Sequence, residues 1–130
     1  MSRLEEIEEL ARVAVDCGFH IHREIGPGLL GSVYQALMLA SLRDRGLSVA
    51  EQVSVPIRFK GVVVDNAFRA DLIIEDLLLI ELKSTEKVNL VHAKQVLTYL
   101  RLLRMPLGLL MNFGQPTFKG GLQRVVSNHN

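Results

Sequence analysis

The sequence predicts a mixed α/β fold, and three features carry that prediction. The apolar period is 3.6 residues up to Arg45 and two residues from Gln52 onward. A helix-length segment separates two apolar strand runs, one ending at Lys83 and the other beginning at Leu107. The order of elements reads helix, helix, three or four strands, helix, strand, with no internal repeat. The segment from Lys83 to Leu107 suffices for a crossover, so the strands it joins are expected to be parallel neighbours in the right-handed sense. With 130 residues, 48% of them apolar, the chain suits a single domain with a core that needs neither disulfides nor structural metal.

The first helix is read from Leu4, Ile7, Leu10, Ala11, Ala14, Ile21 and Ile25, which recur at three- and four-residue steps with Glu5, Glu6, Glu8, Glu9 and Arg12 on the other face. Gly26-Pro27-Gly28 ends it. A second helix is expected from Ser32, whose spacing to Gln35 suits a capping box, to Arg45, with Gly46 as its stop and Val33, Leu37 and Ala40 inward. From Gln52 to Phe59 polar and apolar residues alternate, a half-buried strand that Pro56 favours at a sheet edge. Turns are expected at Lys60-Gly61, after Val64 at Asp65-Asn66, and at Glu75-Asp76, leaving Phe68 to Ile74 and Leu77 to Lys83 as central strands. Asn89 caps a third helix that runs to about Arg104, Leu107 to Asn112 forms the next strand, and the tail from Gly120 to Ser127 offers a last one.

Charge is close to balanced, 15 Lys plus Arg against 14 Asp plus Glu, so no global attraction to a polyanion exists and any such contact must be local. The lone Cys17, on an apolar helical position, excludes an internal disulfide framework or a multi-cysteine metal site and suits a reducing compartment. The acidic N-terminus has no secretory pattern and no apolar run could span a bilayer, so a cytoplasmic protein without membrane contact is expected.

Carboxylates are rare in apolar strands, yet Asp71 interrupts one and Glu81 and Lys83 close another. A turn centred near Asp76 places Asp71 opposite Glu81, and strand alternation puts Lys83 on the face of Glu81. Two carboxylates so placed repel unless a cation or proton lies between them, and a hard divalent ion suits them. A structural ion pair of Lys83 with Asp71 or Glu81 is the alternative reading. On the third helix His92, Gln95 and Tyr99 share one face, opposite Ala93, Val96, Leu97, Leu100 and Leu103, and Tyr99 argues against a purely solvated stripe.

Asp71, then Glu81-Leu82-Lys83, then Gln95 and Tyr99 resemble the PD-(D/E)XK nuclease superfamily, whose core runs helix, three strands, helix, strand. Gly26-Pro27-Gly28-Leu29-Leu30, Ser32-Val33-Tyr34, Arg69-Ala70-Asp71-Leu72, Gln95 to Leu100 and Asn112-Phe113-Gly114 resemble more narrowly its bacterial GxxExxY family, from about Val15 to Val126. The resemblance implies a restriction-endonuclease-like α/β core, α-β-β-β-α-β with an extra N-terminal helix and a mixed central sheet. It implies that Asp71, Glu81 and the Leu82 carbonyl hold Mg²⁺ or Mn²⁺, that Lys83 is the catalytic lysine, and that Gln95 and Tyr99 line the site. The implied activity is hydrolysis of phosphodiester bonds in nucleic acid, DNA before RNA, with a homodimer compatible with so small a domain. Gly31 stands where the family motif has glutamate. That departure suits a nuclease-fold module that only binds nucleic acid or a protein, an engineered inactivating change, or a loss filled by water or Glu24; Gly31 also makes a comfortable helix entry.

Other candidates carry less. His20 and His22, two apart on a helix, face different ways and suit surface or capping roles. Arg69 suits a phosphate contact or an ion pair with Asp71 or Glu81, and Lys87, Lys94, Arg101 and Arg104 suit either a basic rim or solvated helix positions.

Overall fold

The computed structural model describes residues 1–128. Helix α1 (Arg3–Ile25) opens on a reciprocal cap in which the Glu5 N–H donates to Ser2 Oγ at 3.2 Å and the Ser2 N–H to Glu5 Oε1 at 3.4 Å. It ends at Gly26, whose φ of 80° only glycine adopts freely. Ile7, Leu10, Ala11, Ala14, Cys17 and Ile21 are buried as the period requires, while Leu4 and Ile25 are exposed. A helix of 23 residues is about 35 Å long, longer than the roughly 20 Å of the six-residue central strands.

Helix α2 (Gly31–Asp44) starts one residue before the expected Ser32. Its N-cap is Leu30, with no side-chain cap, so the expected capping box does not form. The buried stripe is Tyr34, Met38 and Leu42 rather than Val33, Leu37 and Ala40; Leu37 packs only at the margin, and Val33 and Ala40 face outward. Tyr34 sets this phase. Its hydroxyl donates to Gly26 O at 2.6 Å and accepts the Leu29 N–H at 3.3 Å, while its ring stacks on Phe113 with centroids 4.5 Å apart.

Five strands follow the order β1 (Val49–Phe59), β2 (Val62–Ile74), β3 (Leu78–Lys83), β4 (Leu107–Asn112) and β5 (Leu122–Val126), with β3 and β4 parallel and the other pairs antiparallel. β1 lies at the edge, where Pro56 loses no ladder bond to a further strand. Lys60 and Gly61, both at positive φ, make the tight turn before β2, and Glu75 and Asp76, also left-handed, make the one before β3. The expected turn at Asp65-Asn66 is instead a bulge inside a continuous β2. The register advances by two residues there, Asn66 has a φ of 55°, and Ser54 Oγ donates to its side-chain oxygen.

Helix α3 (Leu90–Leu103) is capped by Asn89, which accepts the Val91 N–H at 3.0 Å, and ends at a left-handed Arg104. A short α4 (Phe118–Gly121), not anticipated from the sequence, precedes β5. Helices α1 and α2 cover one sheet face over Leu72, Ile74, Leu78, Ile80, Leu109 and Met111. Helix α3 covers the other over Ala70, Ile73, Leu79, Leu110 and Val125. The order from α2 to β4 is therefore the expected helix, three strands, helix, strand, with α1 as the added N-terminal helix.

Candidate active site

Strands β2 and β3 pair over three residues only, from Ile74↔Leu78 to Leu72↔Ile80. Beyond that point β2 follows β1 and β3 follows β4 as far as Lys83, and the sheet forks. Asp71 and Glu81 take the next positions of the same register, one on each arm. Their side chains replace the missing ladder bonds: the Asp71 N–H donates to Glu81 Oε1 at 2.9 Å and the Leu82 N–H to Asp71 Oδ2 at 2.8 Å. Regular alternation also breaks here, since Leu72 packs under α1 and α2 while Ala70 packs under α3.

Glu81 is only 5% exposed. Burial first, and the negative charge of Asp71 second, push its carboxyl up to about 8, with Lys83 pulling weakly the other way. A buried pair of this kind is relieved either by a shared proton or by a cation, and its donors are hard oxygens. The pair therefore fits a divalent ion such as Mg²⁺ or Mn²⁺. Among the described residues no third His, Cys, Asp or Glu joins the pair.

Lys83 sits on the α3 side, at the mouth of a cavity of about 160 Å³ that it lines with Asn89, His92 and Asn112. The ion pair with Asp71 or Glu81 weighed from the sequence does not form: among the described residues, no ion pair within 4.0 Å includes Lys83. Burial and the Lys83 charge push the His92 imidazole below its ordinary value. The backbone of Lys83 is held from behind, because its carbonyl accepts the Phe113 N–H at 2.8 Å. Asn112 fixes the next loop, accepting the Thr85 and Gly114 N–H groups at 3.0 Å each and donating to Thr85 Oγ1 at 3.1 Å. Gly114 passes so close to that loop that a Cβ would lie 2.3 Å from Thr85 O, which accounts for glycine in Asn112-Phe113-Gly114.

From α3, Tyr99 stacks on Phe68 with centroids 4.0 Å apart and rings 6° from parallel. Burial, then the charges of Glu81 and Asp71, push its phenol upward, so it shares their electrostatic surroundings. Gln95 is exposed and lines a groove with Phe68, Lys94 and Tyr99; no hydrogen bond joins it to the carboxylates. Arg69 is exposed on β2 and makes no ion pair among the described residues, and Lys87, Lys94, Arg101 and Arg104 are exposed.

Gly31, the first residue of α2, has open space where a Cβ would lie and lines a depression with Leu30, Ser84 and Glu86. Glu24 does not stand in for the missing carboxylate: it lines a separate groove with Cys17, Leu37 and Ser41. His20 is exposed, 3.5 Å from Asp16, as expected of a surface residue. His22 departs from that expectation. It is buried, with Nε2 2.8 Å from Gln115 O and its ring against Phe113 and Phe118, because it lies on the buried side of α1.

Sequence reasoning did not place Gln52, which reaches the pair, or Gln35 behind it at the site. Gln52 Nε2 donates to Asp71 Oδ1 at 3.1 Å and to Gln35 Oε1 at 2.7 Å, so a chain of amides links α2 to the fork. The only signal was a polar side chain at an alternating position of β1.

This architecture and its forked, carboxylate-bearing centre define an α/β, restriction-endonuclease-like fold. Residues 8–125 match the family described as the PD-(D/E)XK nuclease superfamily, and the chain belongs to that superfamily. No curated protein and no solved structure matches at a significant level.

Proposed function

We propose that the protein is a nuclease that hydrolyses phosphodiester bonds in nucleic acid, DNA before RNA, with Mg²⁺ or Mn²⁺ held by Asp71, Glu81 and the Leu82 carbonyl. Within the superfamily we assign it to the GxxExxY family on Gly28 to Tyr34 and Gln95 to Leu100. The observation that carries this reading is a buried carboxylate pair at the fork with Lys83, free of ion pairs to described residues, two positions further along β3. When bound, the ion would supply Lewis-acid activation of the phosphate and a more acidic water. Lys83 holds the attacking water in place or stabilises the charge that develops on the phosphoryl oxygens. Tyr99 and Gln95 border the site on the α3 side, with Tyr99 offering its phenolic hydroxyl to substrate. The reading includes a cytoplasmic setting, from the buried Cys17, and a homodimer.

A second reading rests on Gly31: without its carboxylate, the chain is a nuclease-fold module that binds nucleic acid or a protein partner without cutting. One assay separates the two. Supercoiled, linear and single-stranded DNA and RNA are incubated with Mg²⁺ or Mn²⁺ and the wild-type chain, Gly31→Glu or Lys83→Ala. We expect metal-dependent cleavage by the wild type, lowered about 10²–10³-fold by Lys83→Ala, as for loss of one charge-stabilising group. Cleavage by Gly31→Glu alone, together with nucleic-acid binding by the wild type, supports the second reading. If no variant cuts or binds nucleic acid, the nuclease reading and the nucleic-acid-binding form of the second both fall.

A further inference from the structure

We infer that Gln52 and Gln35 are positioning residues that fix the Asp71 carboxylate for metal binding through a chain of amides from α2; this rests on the metal-binding reading above. Three observations meet at Gln52. The β1–β2 register, Glu51↔Leu72 and Val53↔Ala70, sets it across from Asp71. Its φ is 48°, in the left-handed region, in the interior of a strand, where a non-glycine residue persists only if its surroundings require it. Its amide nitrogen spends both protons on the site, one on Asp71 Oδ1 at 3.1 Å and one on Gln35 Oε1 at 2.7 Å.

The other Asp71 oxygen accepts the Leu82 N–H, so the carboxylate is gripped at both ends. Gln35 is the residue one helical turn beyond Gly31 on the same face of α2. Its own amide reaches Glu51 Oε1 at 3.5 Å, which orients Oε1 of Gln35 toward Gln52. A neutral amide suits this task. It orients a ligand oxygen and leaves its charge for a cation, whereas Lys or Arg there would compete with the metal.

The test is calorimetric titration of Mn²⁺ into the full chain, with thermal unfolding measured on the same metal-free samples, for wild type, Gln52→Gly and Gln35→Ala. Glycine accepts a φ of 48° without strain, so Gln52→Gly removes the amide while sparing the backbone. The expected result is Mn²⁺ affinity lowered about 10–100-fold in Gln52→Gly and less in Gln35→Ala, with the Gln52→Gly unfolding temperature equal to or above that of wild type. If Gln52→Gly binds Mn²⁺ as tightly as wild type, or loses affinity only together with its cooperative unfolding, the inference is overturned and the metal site stands. If wild type takes up no Mn²⁺, the reading of the site fails first and this inference with it.

Discussion

Glu81 concentrates the conflict between folding and chemistry in one side chain. Its carboxyl titrates near 8 in the native protein against 4.5 when free, so between those values the folded state holds the proton that the unfolded state has released. The part of the metal-free protein's stability that depends on Glu81 is therefore present at low pH and is lost as pH rises from about 4.5 to about 8. Replacing Glu81 by Gln keeps an acceptor for the Asp71 N–H and removes the titration. Urea unfolding from pH 5 to 9 is expected to show a decline of roughly 1–3 kcal/mol in wild type and a flatter profile in Glu81→Gln. At this scale the sequence was readable where two residues sufficed. The turn near Asp76 fixed the Asp71 and Glu81 register, since three paired positions separate them from it. Gln52 was not readable, because counting back from the Lys60-Gly61 turn pairs it with Arg69. The two-residue advance at the Asn66 bulge moves it to Asp71.

Among the elements, helices and strands of strong period were legible and their ends and phases were not. The second helix shows why: Val33, Leu37 and Ala40 are as apolar as the real stripe. The choice was made by Tyr34, whose hydroxyl is spent on the preceding loop and whose ring needs Phe113 beneath it. That tertiary partner lies far away in sequence. The same helix begins at Leu30 without a side-chain cap, although that residue has the extended backbone of an N-cap and is 75% exposed. Leu30→Ser is expected to add the missing acceptor for the first helical N–H groups and raise stability by about 1 kcal/mol, read as a shift in the urea midpoint at unchanged slope. The β1–β2 bulge was missed for a related reason. Asp65-Asn66 carries ordinary turn chemistry, and only the continued pairing of Val62 to Val64 with β1 keeps the strand running through it.

For the molecule as a whole, the element sequence and the crossover rule were enough to expect β3 and β4 as parallel neighbours, whereas the full strand order and the placing of helices on both faces came from the structure. No helix among the described residues is long and apolar enough to cross a membrane. The long β1–β2 ribbon extends past the fork, and its far end leaves Phe59, Val62, Val63 and Val64 between 47 and 66% exposed. Paired with no third strand there, this end is the surface we assign to the proposed homodimer. Sedimentation velocity is expected to give a dimer for wild type and a monomer for Val63→Lys; a monomeric wild type overturns that part of the proposal.

The fork between β2 and β3 has one more consequence. Because Asp71 and Glu81 supply hydrogen bonds that join the two arms of the sheet at the fork, each is a structural rivet as well as a proposed ligand. A lineage that stopped cutting nucleic acid would still be held to both residues by folding alone, and their presence beside Gly31 testifies to an intact seam. Lys83 closes no such seam with its side chain, so in this chain it is the lysine that speaks for chemistry.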